Sequence, residues 1–377
     1  MDAQSGWLGS IEALRQRESK IAKQWATFGP YYAMFPVAFA RQVILETTAP
    51  GDGVLDPFAG RGTSIFCAGE IGRRGLGVEL NPVGWLYAKT KLRPAPGDRL
   101  IERAKQLAET RVSAREITRL PPFYRHCFAP RVLTFLLSAR RQLDWRTNWV
   151  DATLMAIILN YLHGKIDRGR PSALSNQMRQ TKCMAPDYSI RWWLEHGYEA
   201  PPDLCPVEFL TDRITRRFRH GSPDFRECAV RLGDCTAFLP RQRSYPYRLL
   251  LTSPPYCGVT SYYYDQWLRL WMLGDAAHPT RAGQSWKGKF TNRRAYEQLL
   301  LQAFSRARRL LTEDAVVYVR TDARDVTLSI TKRVLSAVFP DKKPDYVPAP
   351  YKRATQTSLF GDKAPKPGEY DIILRPR

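Results

Sequence analysis

A chain of 377 residues, 44% hydrophobic and 25% charged, has room for one large domain with an insertion or for two smaller ones, and apolar residues enough for a core. Its 58 Lys and Arg against 36 Asp and Glu leave a formal charge of +22, which argues for a polyanion such as nucleic acid as partner, a generic basic surface being the bland alternative. No apolar run is long enough to span a bilayer, the opening MDAQSGWLGSIEALRQRESK lacks the apolar centre of a signal peptide, and the seven cysteines show no zinc-site spacing, so a cytoplasmic, metal-free protein is expected.

In chain order, the first strand is expected at Gly53–Asp56 and opens the segment VLDPFAGRGTS, a strand, a glycine-containing turn and a helix start. Gly60 and Gly62 can adopt backbone angles closed to other residues and let a ligand come close. The turn is GxG, not the full GxGxxG, which favours a nucleoside-like ligand over a dinucleotide. The second strand, Gly75–Glu79, ends on a carboxylate in GVELNP. An acid there can accept hydrogen bonds from both hydroxyls of a ribose. A tight turn and an exposed Glu79 would each have a bland explanation alone; their spacing points to a cofactor.

From Arg93 to Glu227 the alternation of strand and helix stops and the pattern is mainly helical. Ile101, Ala104, Leu107 and Ala108 share one face, and Leu154, Ile157, Ile158 and Tyr161 another, the second helix capped by Asn148 and ended by Gly164. Inside lies the basic segment KIDRGRPSALSNQMRQTK, where Arg168, Arg170, Arg179 and Lys182 are candidates for phosphate contact or simply line a solvated loop. His163 reads as structural. Arg191, Trp192 and Trp193 either stack on bases or cover the core, and the core is the favoured reading.

The third strand, Ala229–Leu232, leads into GDCTAF, which puts Asp234 and Cys235 at the strand edge where α/β proteins collect ligands; Asp234 suits an adenine amine there. The fourth, Arg248–Thr252, runs into Ser253-Pro254-Pro255-Tyr256. Two prolines stiffen the backbone and remove two N–H groups, leaving hydroxyl and carbonyl acceptors suited to hold an amine, with Tyr256 offering a ring for a base to stack on. Cys257 is read as a packed thiol. A helix over Ala295–Leu311 precedes a fifth strand at Ala315–Arg320. The last two strands are expected at Asp345–Pro348 and Tyr370–Leu374, joined by a long polar loop.

The pairing of DPFAGRGT with TSPPY resembles the amino-methyltransferases of DNA, whose signature is DPFxGxGT with (D/N/S)PPY. The resemblance covers roughly 30–92 and 228–375. It implies a Rossmann-like, seven-stranded methyltransferase sheet of the α/β class with a mainly helical insertion: a cofactor half at 1–92, an insertion at 93–227 holding target recognition, and an SPPY half at 228–377. It implies S-adenosylmethionine as cofactor, held by Asp56, Phe58, Gly60, Gly62, Thr63, Glu79, Asp234 and Cys235, with Phe35 and Pro36 of YYAMFPVAFARQVI over its methionine end. Ser253, Pro254, Pro255 and Tyr256 would be catalytic. In this family the Ser form is typical of enzymes that methylate N4 of cytosine in DNA. Adenine N6, an RNA base amine or a catalytically silent DNA-binding protein are the rival readings. The covalent cysteine route of carbon-5 methylation is rejected, because Tyr256 separates Cys257 from the prolines. The insertion precedes GDCTAF, whereas familiar members place target recognition after that strand. PDFRE near Asp224 has the wrong spacing for a fused nuclease. Finally, Gln356-Thr357-Ser358-Leu359-Phe360 resembles the short motif by which bacterial DNA enzymes dock on the sliding clamp, although Leu359 and Phe360 tying down their own loop is the favoured reading.

Overall fold

The computed structural model describes residues 19–31, 36–238, 246–258, 262–279, 292–349 and 368–377. Its main sheet has seven strands: β1 (Gly53–Asp56), β2 (Arg74–Glu79), β3 (Cys228–Leu232), β4 (Tyr247–Thr252), β5 (Leu311–Asp322), β6 (Lys342–Ala349) and β7 (Glu369–Pro376). They lie in the order β3-β2-β1-β4-β5-β7-β6. The first five are parallel, and β7 runs antiparallel between β5 and β6. This is the α/β, Rossmann-like sheet that the resemblance implies.

The chain divides into two compact units, the sheet unit (35–80, 227–260 and 289–377) and a helical unit (1–34, 81–226 and 261–288). In the sheet unit each face of the sheet is covered. On one side α1 (Val37–Thr47) and α2 (Thr63–Glu70) pack Val43, Ile44, Cys67 and Ala68 on Val54, Leu249 and Leu251. On the other, α3 (Arg293–Arg308) and α4 (Asp325–Val338) pack Leu300, Phe304 and Val334 on Leu55, Leu250 and Val317. Neighbours such as Leu249 and Leu250 point to opposite faces, and both faces are buried, so these strands are continuously apolar. The β6 edge carries Lys343, Pro344, Asp345 and Pro348 on a largely exposed strand, residues that discourage pairing with another chain.

The expected helix at Ala295–Leu311 overran its end. α3 stops at Arg308, and Leu311 already belongs to β5, where it pairs with Tyr247. Leu310 and Leu311 are apolar because they enter the core, whatever the local backbone.

In the helical unit, the helix Trp149–Asn160 is buried from Asp151 onward, and Asn148 caps it as expected, accepting from Asp151 N–H at 3.0 Å. The helix ends at Asn160, four residues before Gly164. Gly164 instead answers a close approach: a Cβ there would meet Ser172 Oγ at 2.7 Å and Ala173 Cβ at 2.9 Å. The helical unit extends beyond the expected insertion. Trp25 Nε1 donates to Gly221 C=O at 3.1 Å, Phe28 meets the Tyr87 ring edge-on, and Tyr124 Oη donates to Ala277 C=O at 3.0 Å, so segments before and after 93–227 share its core. Trp193 is buried against Phe123, as the core reading expected. No helix among the described residues is long and apolar enough to cross a membrane.

Candidate functional site

The chain leaves β1 toward β2 and β3, then returns to the other side of β1 as β4 and β5. The carboxyl ends of β1 and β4 therefore flank the point where strand order reverses, the usual ligand crevice of an open α/β sheet. Both sequence motifs emerge at this point. Asp56 ends β1 and Thr252 ends β4, and Thr252 Oγ1 donates to Asp56 Oδ1 at 2.6 Å.

Asp56 is buried and fully engaged. Oδ1 also accepts from Phe58 N–H at 3.1 Å, and Oδ2 accepts from the Ser64 hydroxyl. Burial outweighs these donors and raises its carboxyl to about 6. Its oxygens serve the protein itself, so Asp56 fixes the two motifs relative to each other. Phe58 turns toward α3, its ring 6.3 Å from that of Phe304.

The glycine turn takes the shape its residues permit. Gly60 has φ 54° and Gly62 φ 72°, both left-handed, and Gly62 caps α2 at the buried residue Thr63. Glu79, at the end of β2, reaches back over this turn: Oε2 accepts from Gly60 N–H at 2.7 Å. Its backbone carbonyl accepts from Gly233 N–H at 2.9 Å, which brings the start of GDCTAF alongside. Asp234 Oδ1 accepts from both the N–H and the hydroxyl of Thr236, each at 2.8 Å, and thereby opens the short helix Cys235–Phe238. Cys235 is buried beside it, its thiol pushed well up by burial and then by Asp234 and Glu79. Gly60, Gly62, Glu79 and Asp234 thus share one edge of the sheet. Pro36 is exposed at the start of α1, while Phe35 lies outside the described residues.

At the end of β4, Pro254 is buried and Pro255 partly so. Ser253 Oγ lies 3.4 Å from Tyr256 Oη, and Tyr256 Oη donates to Glu369 Oε1 at 2.7 Å. The Tyr256 ring is 7% exposed and tied inward by this bond, so base stacking on it requires the ring's surroundings to open. Glu369 begins β7 opposite Asp322, the last residue of β5. Arg320 forms a two-pronged pair with Asp371 at 2.7 Å on each prong, sits 3.8 Å from Glu369 Oε2, and covers the Phe39 ring. Sequence reasoning missed Glu369, Asp322 and Arg320. The only signal was a run of charges at the ends of two otherwise apolar strands. Arg61 was also passed over: it is buried inside the glycine turn, and desolvation lowers its guanidinium to about 10.

The basic candidates of the helical unit divide. Arg168 and Arg170 are exposed on a hairpin pairing Ile166–Asp167 with Arg170–Pro171, where Arg168 (φ 48°) and Gly169 (φ 74°) form the turn. Arg179 is partly buried and its carbonyl bonds His163 Nδ1 at 2.7 Å. Lys182 Nζ is paired with Asp265 at 2.9 Å, an anchoring role that leaves it poorly available to a phosphate. Cys257 is partly exposed, and burial holds its thiol above the ordinary range, which disfavours the reactive thiolate. Gln356–Phe360 lies outside the described residues.

A glycine turn and an edge carboxylate thus lie beside a Ser-Pro-Pro-Tyr turn on a Rossmann-like sheet. Comparison with known proteins finds similarity over part of the chain. A family model described as DNA methylase matches residues 4–87, which include the glycine turn and Glu79. The type II methyltransferase M.Cfr9I of Citrobacter freundii is 49% identical over 54 residues, 14% of this chain and 18% of that protein. M.SmaI of Serratia marcescens is 45% identical over 64 residues, 17% and 22% of the two chains. M2.DpnII of Streptococcus pneumoniae is 34% identical over 73 residues, 19% and 24%. These are partial similarities to DNA methylases, and the chain spans about a fifth of the length of the curated relatives it matches. Among solved structures, the rRNA methyltransferase aviRa of Streptomyces viridochromogenes overlaps 96% of this chain and 94% of its own at 14% identity and a TM-score of 0.33, too slight a likeness to bear on the site.

Proposed function

We propose that this protein transfers a methyl group from S-adenosylmethionine to an exocyclic amine of a DNA base, the N4 amine of cytosine. The observation that carries the reading is the junction at the strand-order reversal, where Asp56 locks the glycine turn to the Ser253–Tyr256 turn through Thr252.

The residues suit such a cofactor. Glu79 offers a carboxylate for a ribose diol and Asp234 Oδ2 an acceptor for an adenine amine. The Thr63 hydroxyl is buried with no hydrogen-bond partner among the described residues, at the start of a helix, a place that favours a carboxylate. When bound, the cofactor supplies an electrophilic methyl group on a sulfonium.

The chain then has to hold a weak nucleophile. The lone pair of an aromatic amine is delocalised into its ring, and acceptors that take both N–H groups favour a pyramidal nitrogen. Ser253 Oγ and the Pro254 carbonyl are such acceptors, and the prolines present no N–H in competition. Alignment of this kind can contribute on the order of 7–11 kcal/mol. A base reaches the turn only after leaving the duplex, which costs a few kcal/mol. The exposed Arg168 and Arg170, with Arg179, provide phosphate contacts in the helical region, which serves target recognition.

The test is incubation with labelled cofactor and DNA or RNA, followed by mass spectrometry of the nucleosides. N4-methylcytosine from DNA is the expected product. N6-methyladenine or a methylated RNA base would overturn the finer assignment, and no methylated nucleoside at all would overturn the class.

A further inference from the structure

We propose that Glu369 is a positioning residue that ends a proton relay running from Ser253 through Tyr256. The inference rests on the function proposed above and adds to it a destination for the proton that amine methylation must release.

The direction of the relay follows from donor and acceptor arithmetic. An ionised carboxylate can only accept, so Tyr256, 2.7 Å from Glu369 Oε1, must give its single proton to that bond. The Tyr256 oxygen then has only lone pairs to offer Ser253, and Ser253 must donate across the 3.4 Å to it. That separation is long for a hydroxyl pair, as catalytic hydrogen bonds often are before substrate binds. With its one proton committed, Ser253 Oγ faces a substrate as an acceptor only. Glu369 thereby selects an N–H group at Ser253 over a carbonyl.

In the reaction a bond forms between the amine nitrogen and the methyl carbon, and the electron pair of the broken carbon–sulfur bond stays on sulfur. The nitrogen is left with a positive charge and a surplus proton. That proton passes to Ser253 Oγ, the proton of Ser253 to Tyr256 Oη, and the proton of Tyr256 to Glu369. One proton has then moved from nitrogen to carboxyl, and both hydroxyls are neutral again. The Glu369 side chain is 21% exposed, enough to hand the proton to water.

The groups around Glu369 oppose one another. Burial raises its carboxyl above the ordinary range, and Asp371 and Asp322 push the same way, while the Tyr256 hydroxyl and Arg320 pull it down. Arg320 is committed chiefly to Asp371, and Asp322 has Arg324 at 3.4 Å. The outcome is a carboxylate more basic than a surface glutamate, which is what a proton acceptor needs.

Glu369→Gln keeps an acceptor for Tyr256 but cannot take the proton. It should lower the single-turnover methylation rate by ~100-fold, leave cofactor and DNA affinity unchanged, and abolish the fall in rate toward acid pH expected of wild type. Glu369→Asp should restore part of the rate. Titration of the free protein by carboxyl carbon NMR supplies a second readout: removing the hydroxyl in Tyr256→Phe should raise the Glu369 midpoint further. Wild-type rate and pH profile in a folded Glu369→Gln, or an unmoved midpoint in Tyr256→Phe, would overturn the relay alone. Absence of transfer by the wild type to any DNA or RNA would remove the functional reading, and the relay with it.

Discussion

Asp56 is buried among three hydrogen-bond donors, yet desolvation dominates and lifts its carboxyl from 3.8 to about 6. Because the folded pKa lies above the unfolded one, the folded state holds the proton more tightly. The resulting stabilisation is fully present below pH 3.8 and is lost as pH rises through about 6. A shift of that size corresponds to about 3 kcal/mol. Asn in its place can accept from Phe58 and Thr252 and donate to Ser64 without ionising. Urea unfolding between pH 4 and 7 should therefore show Asp56→Asn gaining on wild type as pH rises, and a gap that does not change with pH would refute the account. Glu79 and Asp234 hold the neighbouring edge, and there the expected effect is on binding. Glu79→Ala and Asp234→Ala should each weaken S-adenosylmethionine by ~1.5–3 kcal/mol, the worth of a hydrogen bond to a charged group. Calorimetry giving wild-type affinity for a folded variant would remove that residue from the cofactor site.

At the scale of elements, the helix Trp149–Asn160 offers a simple test, since Asn148 satisfies the N–H of Asp151 at its start. Asn148→Ala should destabilise the protein by about 1 kcal/mol, read as a lower urea midpoint with an unchanged slope; an unshifted midpoint would mean the cap is replaced by water at no loss. This helix and all seven sheet strands were legible in the sequence because local pattern and final environment agree: Val54, Leu249 and Leu250 are apolar and buried whichever face they meet. Legibility failed where one kind of residue serves two environments. Leu310 and Leu311 continue the period of α3 but lie in the core as the chain turns into β5. The glycine turn was legible because Gly60 and Gly62 carry their backbone angles in their identity. The link from Tyr256 to Glu369 was not, since it joins residues 113 apart in sequence and exists only once β7 lies beside β5. The same gap explains why Tyr256 was expected as an open stacking face: nothing local foretells the carboxylate that ties its hydroxyl inward.

For the whole molecule the quantity to test is the charge of +22, which under the proposed function would set how the protein meets DNA. Each cation that displaces a counterion from duplex DNA adds ~0.9 to the slope of log affinity against log salt. The charges are not equivalent, however. Arg168 and Arg170 stand exposed on a tight hairpin, whereas Lys182 is held at 2.9 Å by Asp265, a carboxylate only 8% exposed. A cation already neutralised by a buried partner has little to gain from a phosphate. Changing Arg168, Arg170 and Arg179 together to Gln should thus lower the magnitude of the slope by ~2–3. Lys182→Gln should leave the slope as it is and instead destabilise the fold, because it strands the buried charge of Asp265. Fluorescence anisotropy with a duplex over roughly 50–200 mM salt, alongside thermal melting, reads both quantities. If the triple variant keeps the wild-type slope, the +22 surface binds its partner through other residues; if Lys182→Gln flattens the slope without loss of stability, the ion pair with Asp265 opens on binding and Lys182 belongs to the nucleic-acid surface after all.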